Sequence, residues 1–140
     1  MEVKVRRFLP EDLKIVTEIE KHCSPKRPWS EKEFLKWHTK MPEGFLIAEI
    51  EGEPAGYIVT SEDNIQSLVV KENFRRHGIG RILVDEVIKS RGIKKFVVHV
   101  RASNKVVQEF NKSLGFRVVS TKKQYYKNGE DAVEMVKTIE

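Results

Sequence analysis

Residues 65–91 read without a break as an apolar strand, a glycine-containing turn and an amphipathic helix. That succession restricts the chain to an α/β architecture. IQSLVV (65–70) is the strand and KENFRRHGIG (71–80) the turn. Ile79, Leu83 and Val87 then recur on one helix face until Gly92 ends the helix after Arg91. KKFVVHV (94–100) follows as a nearly continuous apolar run, the pattern of a strand covered on both faces.

The remaining segments alternate in the same way. VKVRRF (3–8) is a strand, and Pro10 opens a helix over about 11–22 with Leu13, Val16 and Ile19 at helical spacing. SPKRP (24–28) is a loop. Ser30 with Glu33 three residues on forms a capping box for a second, short helix. FLIAEI (45–50) and PAGYIVT (54–60) form a hairpin through Glu51-Gly52-Glu53. Asn104 caps a helix with Val106, Phe110 and Leu114 at i, i+4 and i+8, closed by Gly115. FRVVSTKKQYY (116–126) and AVEMVKTI (132–139) make a last hairpin around KNGED. The expected order is β-α-α-β-β-β-α-β-α-β-β, a mixed sheet of about seven strands flanked by about four helices.

At 140 residues the chain is expected to be one domain over 1–140. Its single cysteine, Cys23, excludes an internal disulfide and a thiolate zinc site. No apolar run approaches a membrane span and the N-terminus carries no signal-peptide core, so a cytoplasmic protein away from membranes is expected. The net charge of +5 suits a phosphate-bearing partner, either nucleic acid or a nucleotide cofactor, and equally a solvated lysine-rich surface. No nucleic-acid-binding signature appears, so nucleic acid is not expected.

The turn Arg75-Arg76-His77-Gly78-Ile79-Gly80 carries the chemistry. A glycine-containing strand-to-helix turn exposes backbone N–H groups, and the helix N-terminus adds a positive dipole end. Arg75, Arg76 and Arg81 surround it, which suits a pyrophosphate. A Walker loop would need G-x-x-x-x-G-K-[ST], which is absent, and a Rossmann turn would need glycine at Leu83. The pattern [QR]-x-x-G-x-[GA] is met by Arg75, Gly78 and Gly80. The bland alternative is a tight turn before a helix.

That last pattern is the acyl-CoA pyrophosphate loop of the GNAT superfamily of N-acetyltransferases. From residue 3 to 139 the chain resembles this superfamily, and within it the RimI type of protein N-terminal acetyltransferase. RPWSEKEF (27–34) is similar to the substrate loop of that type, and SLVVKENFRRHGIGRILV (67–84) to its cofactor strand, loop and helix. VHVRASNKVVQEFNKSLGF (98–116) and YYKNGEDAVEM (125–135) resemble its later strand-loop-helix and final hairpin.

The resemblance implies acetyl-CoA as co-substrate and no metal. The strands at 65–70 and 94–100 would splay to admit the pantetheine arm. Backbone groups of Leu68, Val69 and Val70 would bond the arm and polarise the thioester carbonyl. Arg75, Arg76, His77, Gly78, Ile79, Gly80 and Arg81 would hold the pyrophosphate. Asn104 aligns with a cofactor-contacting asparagine and can equally be a helix cap. The bacterial pattern has a glutamate base where this chain has His99, while a related branch uses histidine there. His99 is thus the expected base, against the alternative of a structural histidine. The usual acid, a tyrosine, aligns with Asn111, which would stay a cofactor-site residue without a proton to give. The other branch's tyrosine aligns with Asn64. Tyr57, Tyr125, Tyr126 or water would replace the acid, or none would be needed. Trp29, Glu31, Tyr125 and Tyr126 are expected at the substrate, with Trp29 equally a helix staple.

The implied activity is direct attack of an amine on acetyl-CoA. The amine is expected to be the N-terminal α-amine of a protein or peptide. A small-amine acetyltransferase and a non-catalytic acyl-CoA-binding module are the alternatives. Monomer and homodimer stay open.

Overall fold

The computed structural model describes residues 2–139. They divide into two compact units: the residues up to Glu62 with Gln66–Gly92, and Asp63–Ile65 with the residues from Ile93 on. The expected element order is present. The strands are β1 (Val3–Arg7), β2 (Phe45–Ile50), β3 (Glu53–Ser61), β4 (Asn64–Val70), β5 (Lys95–Arg101), β6 (Arg117–Lys122) and β7 (Ala132–Thr138). The helices are α1 (Leu13–Cys23), α2 (Glu31–Lys40), α3 (Ile79–Arg91) and α4 (Lys105–Ser113). The strands form one mixed seven-stranded sheet in the order β1-β2-β3-β4-β5-β7-β6. β4 and β5 pair in parallel, over Asn64↔Val97 and Ile65↔Val98. Among the described residues, no helix is long and apolar enough to cross a membrane.

In the first unit, β1, β2 and β3 form an antiparallel meander. Its core gathers Phe8, Val16, Ile19, Phe34, Phe45, Ile47, Tyr57 and Val59. Phe8 stacks on Phe45 at 4.0 Å between ring centroids, and Phe34 meets Tyr57 edge-on at 5.5 Å. Pro10 opens a 3-10 turn over Pro10–Asp12 rather than α1 itself. Asp12 there accepts from the Leu9 N–H and from two nitrogens of Arg6, so the regular helix starts at Leu13, two residues past the expected start. The capping box of α2 is present, with reciprocal bonds between Ser30 and Glu33, both 3.2 Å. Trp29 packs against Phe34 at 5.2 Å, the hydrophobic staple of that cap.

In the second unit, β5 pairs with β7 and β7 with β6, all antiparallel. The apolar run of β5 does not have two fully covered faces. Phe96, Val98 and Val100 are buried, whereas Val97, His99 and Arg101 lie on a half-open face. The buried face of α4 also differs from expectation. Gln108, Asn111 and Leu114 turn inward, while Val106 is 81% and Phe110 39% exposed. The phase follows from two polar anchors. Asn104 accepts from the Val107 N–H, and the Gln108 amide donates to the Arg101 and Ala102 carbonyls. Finally, β6 ends at Lys122, so Tyr125 and Tyr126 lie in the β6–β7 connection and do not alternate across a strand. Gln124 takes a left-handed backbone and gives its N–H to Asp131, and Tyr126 bonds the Glu130 carbonyl instead of a ladder partner.

Two consequences can be measured. A Cβ on Gly56 would sit 2.5 Å from the Val69 carbonyl oxygen and 3.1 Å from the Val70 Cα. Gly56→Ala therefore forces β3 and β4 to shift and should cost about 1–3 kcal/mol in chemical denaturation. A loss below measurement error would contradict this packing. Hydrogen bonds from Arg6, and then from the Leu9 N–H, hold the Asp12 carboxyl below its usual range. A folded value depressed below the unfolded one gives stability that is complete above about pH 4 and is lost as the pH falls through the folded value. Asp12→Asn should lower the thermal midpoint at neutral pH and flatten its acid dependence, and an unchanged acid profile would refute the assignment.

Candidate functional site

In the first unit, the turn between β4 and α3 has the backbone of an anion cradle. Arg76 and Gly78 both have positive φ, 71° and 73°, on either side of His77. Alternation of this kind turns successive N–H groups toward one side. Gly78 is the N-cap of α3, whose thirteen residues carry no acid in the first turn. A Cβ added at Gly78 would meet nothing within 4 Å, so this backbone faces open space. Arg75, Arg76, His77 and Arg81 are exposed around it, whereas Ile79 and Gly80 are buried in the first turn of α3. The Arg75 Nε donates to the Val70 carbonyl at 3.2 Å, tying the loop back to the end of β4. Leu68, Val69 and Val70 are half-buried on that strand. A backbone-lined, cationic cradle at a helix N-terminus fits a pyrophosphate.

Also in the first unit, Trp29 follows the α1–α2 loop and Glu31 is exposed in the first turn of α2. The residue that holds this segment is Glu20, which sequence reasoning missed. Its carboxylate, 3% exposed, accepts from the Trp29 N–H at 2.9 Å and from the Tyr57 hydroxyl at 2.5 Å. The signal was available: Glu20 stands four residues after Val16, an acid on the apolar face of α1. Tyr57 is consequently no source of protons. It is fully buried, and burial together with the Glu20 charge pushes its pKa well above the ordinary value. Burial likewise pushes the Cys23 thiol up, which leaves little thiolate for a nucleophile at neutral pH.

In the second unit, His99 stands on the half-open face of β5, directly opposite Glu134 of β7. The imidazole Nε2 lies 3.2 Å from the Glu134 Oε2, and both side chains are 22% exposed. Lys122 of β6 reaches the same carboxylate oxygen at 3.6 Å. Tyr125 stacks on the His99 ring, 4.9 Å between centroids and 13° between planes. Tyr126 stands nearly perpendicular to Tyr125 and carries the Arg101 guanidinium 3.9 Å over its ring. Arg101 also bonds Asn128 and Glu130, and Ser103 bonds Glu130. Burial pushes the Tyr126 hydroxyl up. The structure thus brings together His99, Tyr125 and Tyr126, and adds Glu134. Asn104 caps α4, while Asn111 is buried with its amide 3.9 Å from the Met135 sulfur. Asn64 is half-buried at the start of β4, paired with Val97. Among the described residues no three metal-ligating side chains cluster.

Residues 13–116 match the model of the acetyltransferase (GNAT) family. The chain is 34% identical over 141 residues to an uncharacterized N-acetyltransferase of Methanocaldococcus jannaschii, covering 95% of this chain and 90% of the relative. It is 31% identical over 123 residues to an N-alpha-acetyltransferase of Sulfurisphaera tokodaii, covering 73% and 74%. The crystal structure of Ard1 from Thermoplasma volcanium superposes with a TM-score of 0.86 at 26% identity, covering 100% of this chain and 99% of the other. The strand-loop-helix cradle, the sheet order and these likenesses agree: the chain belongs to the GNAT family of acetyltransferases, which take the acetyl group from acetyl-CoA.

Proposed function

We propose that this protein is a single GNAT domain over residues 1–140 that acetylates the N-terminal α-amine of a protein or peptide in the cytoplasm. The observation that carries the reading is His99. An imidazole sits on the half-open face of β5, its Nε2 engaged by Glu134, in a chain whose relatives include an N-alpha-acetyltransferase. An α-amine suits so weak a base. With an α-amino pKa near 8, roughly a tenth is neutral at pH 7, against a few parts in ten thousand for a lysine amine near 10.4.

Acetyl-CoA supplies the acetyl group already activated as a thioester. In the first unit, the loop of Arg75, Arg76, His77, Gly78, Ile79, Gly80 and Arg81 holds its pyrophosphate through backbone N–H groups and guanidinium charge. Backbone groups of Leu68, Val69 and Val70 bond the pantetheine arm, and Trp29 and Glu31 meet the substrate peptide. In the second unit, Asn104 serves the cofactor side and Tyr125 and Tyr126 the peptide, whereas Asn111, expected at the cofactor, is buried against Met135 and takes no part. His99 accepts the proton that the amine sheds on acylation and passes it to solvent. No side chain need protonate the departing sulfur, because a thiol pKa near 8.5 makes the thiolate a tolerable leaving group. This accords with asparagine at positions 64 and 111 and with the committed hydroxyl of Tyr57.

Two experiments test the reading. Gly78→Glu places a carboxylate in the open space before the loop and should weaken CoA binding by about tenfold or more in calorimetry. Gly78→Asn, which tolerates a left-handed backbone, should bind within about threefold of the parent. Equal affinities for both variants would reject the loop assignment. His99→Ala should lower kcat/KM on an α-amine peptide by about 10²–10⁴, with CoA affinity unchanged. His99→Glu should recover part of that loss. Peptides differing at their first two residues should outpace free lysine and spermidine. Full turnover by His99→Ala, or spermidine rates equal to the best peptide, would overturn the proposal.

A further inference from the structure

We propose that Glu134 is a positioning residue for His99: its carboxylate takes the Nε2–H of the imidazole and leaves Nδ1 as the proton acceptor. The inference deepens the reading of His99 as the base and rests on it. A neutral imidazole has one N–H and one lone pair, and the partner of one nitrogen decides which is which. Here the partner at Nε2 is a carboxylate, an acceptor only, 3.2 Å away and set opposite by the β5–β7 register. Tyr125, parallel to the ring at 4.9 Å, fixes the ring plane. With the tautomer and the plane both set, the lone pair on Nδ1 has one direction.

The pair is poorly explained as a stabilising contact. Both partners are partly exposed, and cross-strand pairs of this kind contribute well under about 1 kcal/mol. Its use lies in the reaction. The acylated nitrogen gives its proton to Nδ1, the proton on Nε2 stays where it is, and the ring becomes an imidazolium beside the Glu134 carboxylate. The negative charge then stabilises what forms, as the acid of a catalytic triad does. The groups facing this pair are Glu134 from β7, Lys122 from β6 at 3.6 Å from the same oxygen, and Tyr125 from the following connection. Arg101, two residues along β5, is turned to Tyr126, Asn128 and Glu130.

Nitrogen-15 imidazole spectra of the full chain test the tautomer without turnover, with His99 assigned by its loss in His99→Ala. The neutral His99 ring should be in the Nε2–H form, and Glu134→Ala should convert it to a mixture of tautomers. An Nδ1–H ring in the parent, or a tautomer ratio unmoved in both Glu134→Ala and the isosteric Glu134→Gln, overturns the proposal. Kinetics supply the second readout. Glu134→Gln should lower kcat/KM by about tenfold or more in the parent and by less than about twofold in His99→Ala. The thermal midpoint should stay within a degree or two. An equal loss in both backgrounds would show that Glu134 does not act through His99. Full activity of His99→Ala would sink the base assignment instead, with the tautomer measurement still deciding what Glu134 does to the ring.

Discussion

The antiparallel register of β5 with β7 decides what the second unit can do. It pairs Val98 with Met135 and Val100 with Val133, and by the same count sets His99 opposite Glu134. A shift of one residue would turn His99 to the buried face together with Val97 and Arg101 and turn Phe96, Val98 and Val100 out to the half-open one, so the apolar row holds the register in place. The buried row fixes the register, and the half-open row receives its cross-strand partners as a consequence. The turn that follows β6 then lays Tyr125 on the imidazole, through the bonds of Gln124 with Asp131 and of Tyr126 with Glu130.

In the first unit a comparable place is held by Glu20. A carboxylate with 3% exposure needs donors, and it finds the Tyr57 hydroxyl and the Trp29 amide. That demand ties helix α1, strand β3 and the start of α2 to one point. Trp29 is drawn onto Phe34 and Trp37, so the segment expected at the substrate is anchored by core packing and need not be ordered by the peptide. The same bond withdraws Tyr57 from proton chemistry. Its hydroxyl is a strut between β3 and α1.

The polar groups at the remaining aligned positions are likewise spoken for by the fold. Asn111 is packed against Met135 and its backbone carbonyl closes the end of α4 onto Leu114 and Phe116. Asn104 gives its side-chain oxygen to the Val107 N–H. The proposed reaction asks nothing of these side chains beyond a base and an anion cradle. A thiolate leaving group permits that economy.

The local devices were legible in the sequence because each depends on neighbours within a few residues. The Ser30–Glu33 box, the Asn104 cap, the glycine ends of α3 and α4 and the cradle from Arg75 to Gly80 are of this kind, and the order of strands and helices follows from hydrophobic period. The boundary of α1 shifted because Asp12 bonds Arg6, and the face of α4 rotated because Gln108 seeks the Arg101 and Ala102 carbonyls. Periodicity counts apolar residues and cannot weigh such polar demands against them. Glu134 could not be paired with His99 from one sequence, since thirty-five positions separate them and strand partners leave no local mark. Hydrophobic period chose the elements, and the motif of Arg75, Gly78 and Gly80 carried the resemblance to the family's loop. Only packing decided which face is wet, which carboxylate meets the imidazole and which tyrosine keeps its proton, because register and burial arise between segments and not within them.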